Sequence, residues 1–433
     1  MKSSDPMTSQ GCSALAAAQD VRYSAAMPSS DRPDPPGVSR ALETLASASA
    51  MLRRTAPPLG IECVSLTQAG GRTLAEPVYA RIDSPRRDAA AMDGFALGEA
   101  LAPGSDQRWR LIVLDRAGDS ALAAGCAIRI TTGAPLPRGT VRVLPIEDAL
   151  QTGDHVAVDR AQGARLHVRR SGSDFLQGAM VLAAGRRIDP RALVAIAAAD
   201  VGRVSVLRAP RVAIVVLGSR QVEPGTAAAA DAAVPESLGE ALLLFASVWG
   251  GMPVRSIRVG DDTAALVGAV DALRDVADVI VLVGGAAHGA RAATRQALSP
   301  LGLVPGFDGL AVRPGRPTWY GTIGAMQVLA LPGNPTAAMT LARLLLAPLL
   351  VSLGGGDADT ALAWADLPLA GPAAATGNRD SFLCAMAEGD TVRLLDRTVV
   401  SGQVMLAAAD RLVARPAHGP ALAAGTLVPT LRF

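Results

Sequence analysis

The chain has 433 residues, enough for roughly two to four domains with substantial cores, and its 41 basic and 39 acidic residues leave a net charge of only +2. Because this balanced charge comes with only 3% aromatic residues, we expect no nucleic-acid partner. Mean hydropathy is +0.29, and even the apolar stretch 340–350 is interrupted by Arg343 and Pro348, so we expect a soluble protein with no apolar run long enough to span a membrane.

The first half of the chain predicts a tail, a helix and small β-rich lobes. Residues 1–36 are serine-rich, end in several prolines and predict a disordered tail. A helical pattern covers residues 39–54, and glycine, proline and short Val/Leu/Ile runs follow up to residue 206. We therefore expect a helical and linker part at 37–90, a β-rich lobe at 91–165 and a connecting segment at 166–210.

From residue 211 the pattern changes to buried strands that alternate with helices. It predicts a doubly wound, mostly parallel α/β domain at 211–352, within a multidomain α/β fold. The expected strands are 212–217, 254–259, 279–283 and 328–331, and the expected helices are 238–249, 264–274, 290–301 and one after residue 334. After about residue 353 the helical pattern stops, and strands at 391–395 and 426–431 predict a small C-terminal β domain, 353–433.

The most informative segment follows the strand at 328–331 and contains Pro332, Gly333, Asn334 and Pro335. Asn334 can cap the next helix, Pro335 suits its first turn, and Gly333 lets the backbone approach a ligand. Unpaired N–H groups and the helix dipole then favour a phosphate or an oxyanion. The alternative is a strand-to-helix turn that binds nothing.

A second glycine loop follows the strand at 279–283. Gly284 and Gly285 begin GGAAHG, which lacks the Gly-x-Gly-x-x-Gly spacing of dinucleotide sites. We interpret it as a backbone loop at the same carboxyl edge of the sheet, where such folds bind ligands. His288 in this loop can bind phosphate, act as a base or be only a polar loop residue.

Residue types exclude further chemistry. Four cysteines and four histidines are scattered without a Cys-x-x-Cys, so we expect neither a zinc cluster nor disulfides, and a reducing cytoplasm fits best. Lys2 is the only lysine, which excludes a Walker lysine or a Schiff base from the folded part.

Several short motifs in order carry a family resemblance. They are AAMDGFA at 90–96, TTGAPLP at 131–137, ED at 147–148, VRRSGSD at 168–174, VEPG at 222–225, GDD at 260–262, RPGRP at 313–317, LPGNP at 331–335, SGQ at 401–403 and ADRL at 409–412. Each is modest alone, but their number and order are specific. From about residue 39 the chain resembles the molybdopterin molybdenumtransferase family, the MoeA and gephyrin E-domain group.

This resemblance implies an elongated homodimer that inserts molybdate into adenylylated molybdopterin, with Mg²⁺, and releases AMP. Molybdoenzymes or cofactor-pathway proteins are the implied protein partners. Asp93 and Asp174 would approach the active site of the partner subunit, Thr132 and Asp148 would support their lobe, and Asp262 would lie near the adenylate or the metal. Without the resemblance, Asp93 would be interpreted as part of a turn and Asp174 as a surface residue.

Some positions depart from the family pattern. Arg313 and Arg316 replace usual lysines, which keeps the charge but changes the geometry. Arg220 replaces a glutamate, Ala292 falls at an acidic position, and Ala287 is altered in the same loop as Gly284. Because Mg²⁺ requires oxygen ligands, we expect weaker metal handling, while Arg220 can attract molybdate or phosphate directly.

Two hypotheses follow from these departures. The chain is an active molybdenumtransferase with rearranged acid and metal chemistry, or it is a molybdopterin-binding carrier or scaffold without insertion chemistry. Family membership favours the enzyme, whereas Arg220 and Ala292 favour the scaffold.

Overall fold

The structure is a computed structural model that describes residues 42–99, 108–113, 121–159, 165–229, 231–284, 288–395 and 402–433. The predicted disordered tail, 1–36, lies outside the described residues, and so do Gly285 and Ala287 of the second glycine loop. Within the helix that begins at His288, nothing is described of the side chains of residues 288–290.

The first part of the chain forms two small lobes. Its elements are α1 Leu45–Thr55, β1 Ile61–Ser65, α2 Leu66–Ala69, β2 Val78–Tyr79, β3 Ala89–Ala90, β4 Gly94–Leu97, β5 Arg108–Leu111, β6 Cys126–Ile130, β7 Arg142–Pro145, β8 Ala149–Thr152, β9 His155–Val158, β10 Val168–Arg169, β11 Met180–Leu182, α3 Pro190–Ala198 and β12 Arg203–Leu207, with a 3-10 turn at Ile146–Asp148. β1 pairs antiparallel with β12, and α2 and α3 pack on this pair around Ile188 and Ile196.

Helix α3 lies in the region for which only β-rich lobes were predicted. Asp189 caps it by accepting a hydrogen bond from the Ala192 amide at 2.8 Å, and Pro190 fills its first turn. The Asp-Pro start signal was present in the sequence and was missed.

A six-stranded sheet forms the β-rich lobe, in the order β7-β4-β6-β5-β9-β8. All its pairs are antiparallel except β5 with β6. Phe95, Trp109 and Val156 are buried on one face, whereas Ala96 and Ile128 belong to a separate buried cluster. The region predicted to be β-rich is therefore built from strands, as the sequence indicated.

The next segment forms the α/β domain. Its elements are β13 Arg211–Leu217, β14 Gln221–Val222, β15 Val234–Pro235, α4 Gly239–Val248, β16 Met252–Val259, α5 Thr263–Asp271, β17 Val279–Val283, α6 His288–Leu298, β18 Leu303–Asp308, β19 Val312–Arg313, β20 Trp319–Ile323, β21 Met326–Leu331, α7 Pro335–Leu341 and α8 Ala347–Leu353, with 3-10 turns at Ala227–Ala229 and Ser299–Leu301 and a π-helical turn, Ala342–Leu346, between α7 and α8.

Its sheet has the order β16-β13-β17-β21-β20-β18. The first four strands are parallel, and β20 and β18 extend the sheet in antiparallel fashion. One buried cluster joins the sheet to α1, α4, α7 and α8, and another joins its opposite face to α5 and α6. The doubly wound, mostly parallel α/β fold predicted from the sequence is confirmed, although β18 and β20 were not foreseen.

The C-terminal part forms another sheet. Its elements are β22 Ala365–Pro368, β23 Asp380–Glu388, β24 Thr391–Leu394, α9 Gly402–Ala408, β25 Arg411–Arg415 and β26 Leu427–Arg432, after a 3-10 turn at Ala358–Leu362. The strand order is β19-β23-β25-β26-β22, with β24 paired to β23. Helix α9 contradicts the expectation that helices end near residue 353; its Met405 packs into the large core on α7.

The continuous helix Pro335–Leu353 corrects the expectation about apolar runs. It has 19 residues and is long and apolar enough to cross a membrane, but most of it is buried inside the protein. Arg343 does not interrupt it. Burial lowers the pKa of Arg343 to about 10, and its guanidinium lies 4.3 Å from the centroid of the Trp249 ring while Nε donates to the Arg432 carbonyl at 2.6 Å. The helix packs as the core helix of a soluble domain does.

Candidate functional site at the carboxyl ends of the parallel strands

Four neighbouring parallel strands end at the same edge of the α/β sheet. Leu217 lies opposite Val259 in the β13–β16 register, and Val283 lies opposite Leu331 in the β17–β21 register. The segments that follow them, residues 218–221, 260–262, 284 and 332–334, therefore lie at one edge. This is the edge at which open α/β sheets bind ligands.

The turn from β21 into α7 has the predicted capping geometry. The side-chain oxygen of Asn334 accepts a hydrogen bond from the Ala337 amide at 3.1 Å, and its carbonyl accepts one from the Ala338 amide at 2.8 Å. Pro335 occupies the first turn of the helix. The positive end of this long helix thus points to the edge where the strands end.

Backbone packs directly on backbone at Gly284 and Gly333. A Cβ on Gly333 would lie 3.4 Å from the Gly284 Cα. Gly284 has a φ of +88°, and a Cβ there would lie 2.7 Å from the carbonyl oxygen of Leu217. Its amide donates to the Leu331 carbonyl at 3.2 Å. Glycine at these positions brings three strand ends close together and leaves their backbone open to a ligand.

Acidic side chains at this edge already hold other groups. The Asp261 carboxylate accepts hydrogen bonds from the amide of Ser219, at 3.3 Å, and from its hydroxyl. Asp262 caps α5, because its Oδ1 accepts a hydrogen bond from the Ala264 amide at 2.9 Å. Both carboxylates are exposed. Their described roles are to order the loop and to start a helix.

Arg220 is an exposed arginine at this edge. Its guanidinium makes no hydrogen bond or ion pair with any residue that the structure describes. It stands one residue from Ser219, whose hydroxyl is bound to Asp261. An exposed guanidinium without a carboxylate partner can donate to an incoming oxyanion.

The donor set at this edge does not fit a divalent cation. Across the described ranges, no group of three or more His, Cys, Asp or Glu side chains could hold a metal ion. Glu236 is buried and accepts hydrogen bonds from the Leu238 and Gly239 amides at 2.6 and 2.9 Å, and Ala292 on α6 brings no oxygen. Since Mg²⁺ needs several oxygen ligands, Asp262 as a metal ligand stays a prediction.

Arg313 is the last residue of β19, which pairs with β23 of the C-terminal sheet, and Arg316 lies in the loop that follows. A Cβ on Gly315 between them would lie 2.7 Å from the Leu341 side chain, so this loop packs on α7. Arg313 is exposed and Arg316 is half-buried. The glycine between the two arginines thus packs on Leu341, in the amino-terminal half of the helix Pro335–Leu353 that Asn334 caps.

Asp93 and Thr132 are brought together in the β-rich lobe. Asp93 precedes β4 and Thr132 follows β6; the amide and hydroxyl of Thr132 donate to Asp93 Oδ1 at 2.6 and 2.9 Å. The backbone bond, followed by the hydroxyl bond, lowers the pKa of Asp93. The Ile146 amide donates to the Asp93 carbonyl at 3.0 Å, which brings the turn that contains Asp148 to this end of the lobe.

Asp174 is held separately, by an ion pair with Arg169 and by the Ser84 hydroxyl at 3.2 Å. Close to Asp174 in the chain, Arg170 forms an ion pair with Asp88 that the sequence did not predict. Asp88 accepts hydrogen bonds from the Ser171 amide and from Arg170, at 2.8 and 2.6 Å; burial raises its pKa, but these bonds outweigh that effect and lower it. The arginines in the VRRSGSD motif were the available signal. Within the described chain, no hydrogen bond or ion pair joins this lobe to the strand-end edge.

Two family models match this chain. The model of the MoeA N-terminal region (domain I and II) matches residues 38–200, and that of a probable molybdopterin binding domain matches 213–352. A molybdopterin molybdenumtransferase from Synechococcus elongatus is 32% identical over 326 residues, which cover 72% of this chain and 79% of that protein. Molybdopterin molybdenumtransferase 2 from Mycobacterium tuberculosis is 30% identical over 299 residues, covering 66% and 73%.

The fold comparison gives the same answer. The crystal structure of a molybdopterin biosynthesis MoeA protein from Pyrococcus horikoshii superposes with a TM-score of 0.71 at 26% identity. The match covers 90% of this chain and 99% of that one. The chain therefore belongs to the molybdopterin molybdenumtransferase (MoeA) family.

Proposed function

We propose that this chain is a molybdopterin molybdenumtransferase of molybdenum cofactor biosynthesis. Its substrates are molybdate and adenylylated molybdopterin, and AMP is released as molybdate enters the dithiolene. The observation that carries the proposal is the meeting of four strand-end segments around Gly284 and Gly333. Beside them lies Arg220, whose guanidinium has no partner among the described residues. Both substrates are anions, and this edge offers backbone N–H groups, a helix N-terminus and a guanidinium.

Arg220 and the backbone supply the positive potential in this account. Mg²⁺ is implied by the family, but Asp261 and Asp262 are engaged by Ser219 and by the start of α5, so the described donors do not fit a preformed magnesium site. No step is therefore assigned to a divalent cation. Arg220 holds an oxyanion, and the exposed start of the helix at Gly333 and Asn334 orients it.

The β-rich lobe acts across a homodimer in this proposal. Asp93, held by Thr132, and Asp174, held by Arg169, approach the strand-end edge of the partner subunit, which accounts for two ordered carboxylates outside the α/β domain. The arrangement predicts complementation: mixing Asp93→Ala chains with Arg220→Gln chains restores about a quarter of the activity, because mixed dimers keep one intact site. No recovery on mixing would contradict action across the dimer.

We further propose a cytoplasmic location and transfer of the product to a molybdoenzyme or another cofactor-pathway protein. Cys63, Cys126 and Cys384 form no disulfide within the described chain, as is usual in a reducing compartment.

The test is AMP release from adenylylated molybdopterin by the purified full-length chain, with and without molybdate and with Mg²⁺ or a chelator. We expect multiple turnovers that depend on molybdate, and a loss of roughly tenfold or more in Arg220→Gln, since charge-assisted hydrogen bonds contribute about 1.5–3 kcal/mol. Arg255→Gln removes an exposed arginine from the middle of β16 and should behave as the unsubstituted chain. Tight binding of molybdopterin without AMP release would instead make the chain a carrier or scaffold.

A further inference from the structure

A groove of about 650 Å³ lies on the open face of the β-rich lobe, over strands β5, β9 and β8. Arg110 on β5 lies opposite Cys126 on β6 and opposite His155 on β9, and His155 lies opposite Thr152 on β8. Paired residues of neighbouring strands point to the same face of a sheet. One continuous row of polar side chains therefore crosses the groove.

A second row runs beside the first. Arg108 lies opposite Ala157, which lies opposite Leu150, and all three line the groove. Leu150 is 55% exposed and is separated from Arg108 by Ala157 on the strand between them. On the other face of the same strands, Trp109 and Val156 are packed in the core of the lobe, which makes the floor of the groove rigid. The groove therefore has two arginines, Arg108 and Arg110, on β5 and an apolar strip formed by Ala157 and Leu150 on β9 and β8.

The positive charge in the groove is largely available. The Arg108 guanidinium makes no hydrogen bond or ion pair within the described ranges. The Arg110 guanidinium has one ion pair there, between its Nε and Asp154 Oδ2 at 3.7 Å. Asp154 Oδ1 is 2.7 Å from His155 Nδ1, which leaves His155 Nε2 pointing away from that carboxylate. The described residues that line the groove include no carboxylate. Their net charge is therefore positive.

We propose that this groove binds a small organic phosphate. The phosphate is held by the Arg108 and Arg110 guanidinium groups, whose forked donors match its oxygens, and the organic part lies on Leu150 and Ala157. The volume is in the range of small-molecule sites, which is about 300–1,000 Å³. The site uses none of the residues of the strand-end edge, so it does not depend on the proposed transferase activity.

Cys126 provides a local reporter because it lines the groove and is half-buried. The test uses a chain with Cys12→Ser and Cys63→Ser; Cys384 stays because it is buried. The rate at which a neutral disulfide reagent labels Cys126 is measured at increasing concentrations of phenyl phosphate or of inorganic phosphate. We expect saturable protection by both probes, at a lower concentration for phenyl phosphate because its ring covers the apolar strip. Equal half-protecting concentrations would overturn the assignment to an organic phosphate.

Arginine variants decide whether the protection comes from this groove. Arg108→Gln and Arg110→Gln should each raise the half-protecting concentration of phenyl phosphate about tenfold, in line with loss of a charge-assisted hydrogen bond. Arg129→Gln is the control, because Arg129 is an exposed arginine of β6 that does not line the groove. This change should leave the half-protecting concentration of phenyl phosphate unchanged. Calorimetric titration of the chain with its natural cysteines gives a second reading. Absence of protection and of heat, or the same affinity in the Arg108 and Arg110 variants, would overturn the proposal.

Discussion

The two ends of the parallel sheet differ in whether their arginines are paired with a carboxylate. At the amino end, the Asp278 carboxylate, just before β17, accepts hydrogen bonds from Arg208 at 2.9 Å through each guanidinium nitrogen, and from Arg211 through its amide at 2.8 Å and its side chain at 3.1 Å. At the carboxyl end, Arg220 has no described partner, and glycine backbone lines the surface. The arginines of the amino end are thus paired with a carboxylate, whereas Arg220 at the carboxyl end is without one among the described residues.

The difference separates what holds the fold from what serves a ligand. Arg208 follows β12 of the first lobe, so its bonds to Asp278 tie that lobe to the α/β sheet. A buried chain of hydrogen bonds from Gln327 through Tyr320 to Thr55 similarly ties α1 to the sheet. Substitutions at the amino end should therefore act on stability, and substitutions at the carboxyl end should act on turnover.

The largest expected effect comes from Asp278→Ala. This change leaves Arg208 and Arg211 without their shared carboxylate in a place where Asp278 is only 10% exposed. Loss of one partner of a buried ion pair costs about 3 kcal/mol. Urea unfolding should show this loss, while AMP release by the folded variant stays near that of the unsubstituted chain. A stable but inactive variant would reverse the assignment of the two ends.

Acid should remove the same contribution. Burial alone raises the pKa of Asp278, but the hydrogen bonds from Arg208 and Arg211 outweigh burial and lower it to about 2. Because the folded-state pKa lies below the unfolded one, this stability is present above pH of about 4 and is lost as pH falls toward 2, by about 2 kcal/mol. The free energy of unfolding of Asp278→Asn should lack this part of the pH dependence. Parallel pH curves for both chains would contradict the explanation.

Gly284→Ala tests the close backbone contact at the carboxyl end. The new Cβ would lie 2.7 Å from the Leu217 carbonyl at a φ of +88°, so we expect a loss of about 2 kcal/mol and of ligand binding. Gly302→Ala is the matched control, because its φ is +85° but a Cβ there meets nothing within 4 Å. It should cost about half as much and leave binding intact. Equal costs would mean that only the backbone conformation matters.

The smallest effect in this series concerns the cap of α7. Asn334→Ala removes the acceptor of the Ala337 amide and should cost about 1 kcal/mol. Asn334→Asp keeps the cap but adds a negative charge next to the proposed anion site. Thermal unfolding should therefore show that Asn334→Asp is as stable as the unsubstituted chain. Its rate of molybdate-dependent AMP release should be lower. Full activity in Asn334→Asp would argue against an anion at this helix end.

The sequence predicted strands β13 and β17 well because both are continuous buried runs rich in β-branched residues. Strand β17 was placed at Val279–Val283 without error. Strands β18 and β20 were missed because Pro305, Gly306 and Gly321 interrupt their patterns, and pairing with β21 decides their conformation. Helix α9 is only seven residues long and depends on tertiary packing rather than on a periodic pattern.

In the site too, contacts between near neighbours in the chain were predicted, and contacts between distant residues were not. The cap at Asn334 depends on neighbours in the chain, so the local pattern was sufficient. The bond between Asp93 and Thr132 joins residues 39 positions apart, and the engagement of Asp261 by Ser219 joins residues 42 apart. Spacing alone gives no information on such contacts; only the family motifs pointed to Asp93 and Thr132. The open groove at Arg108 and Arg110 depends on strand register and was not foreseen.

The most direct test of the difference between the two ends measures Arg220→Gln in two ways, by its unfolding free energy and by molybdate-dependent AMP release under single-turnover conditions. Because Arg220 is exposed and unpaired within the described chain, we expect its unfolding free energy to change by less than about 0.5 kcal/mol. AMP release should fall roughly tenfold or more. Release at the rate of the unsubstituted chain would contradict the claim that the carboxyl edge, with Arg220 as its cation, is the site of the transferase reaction.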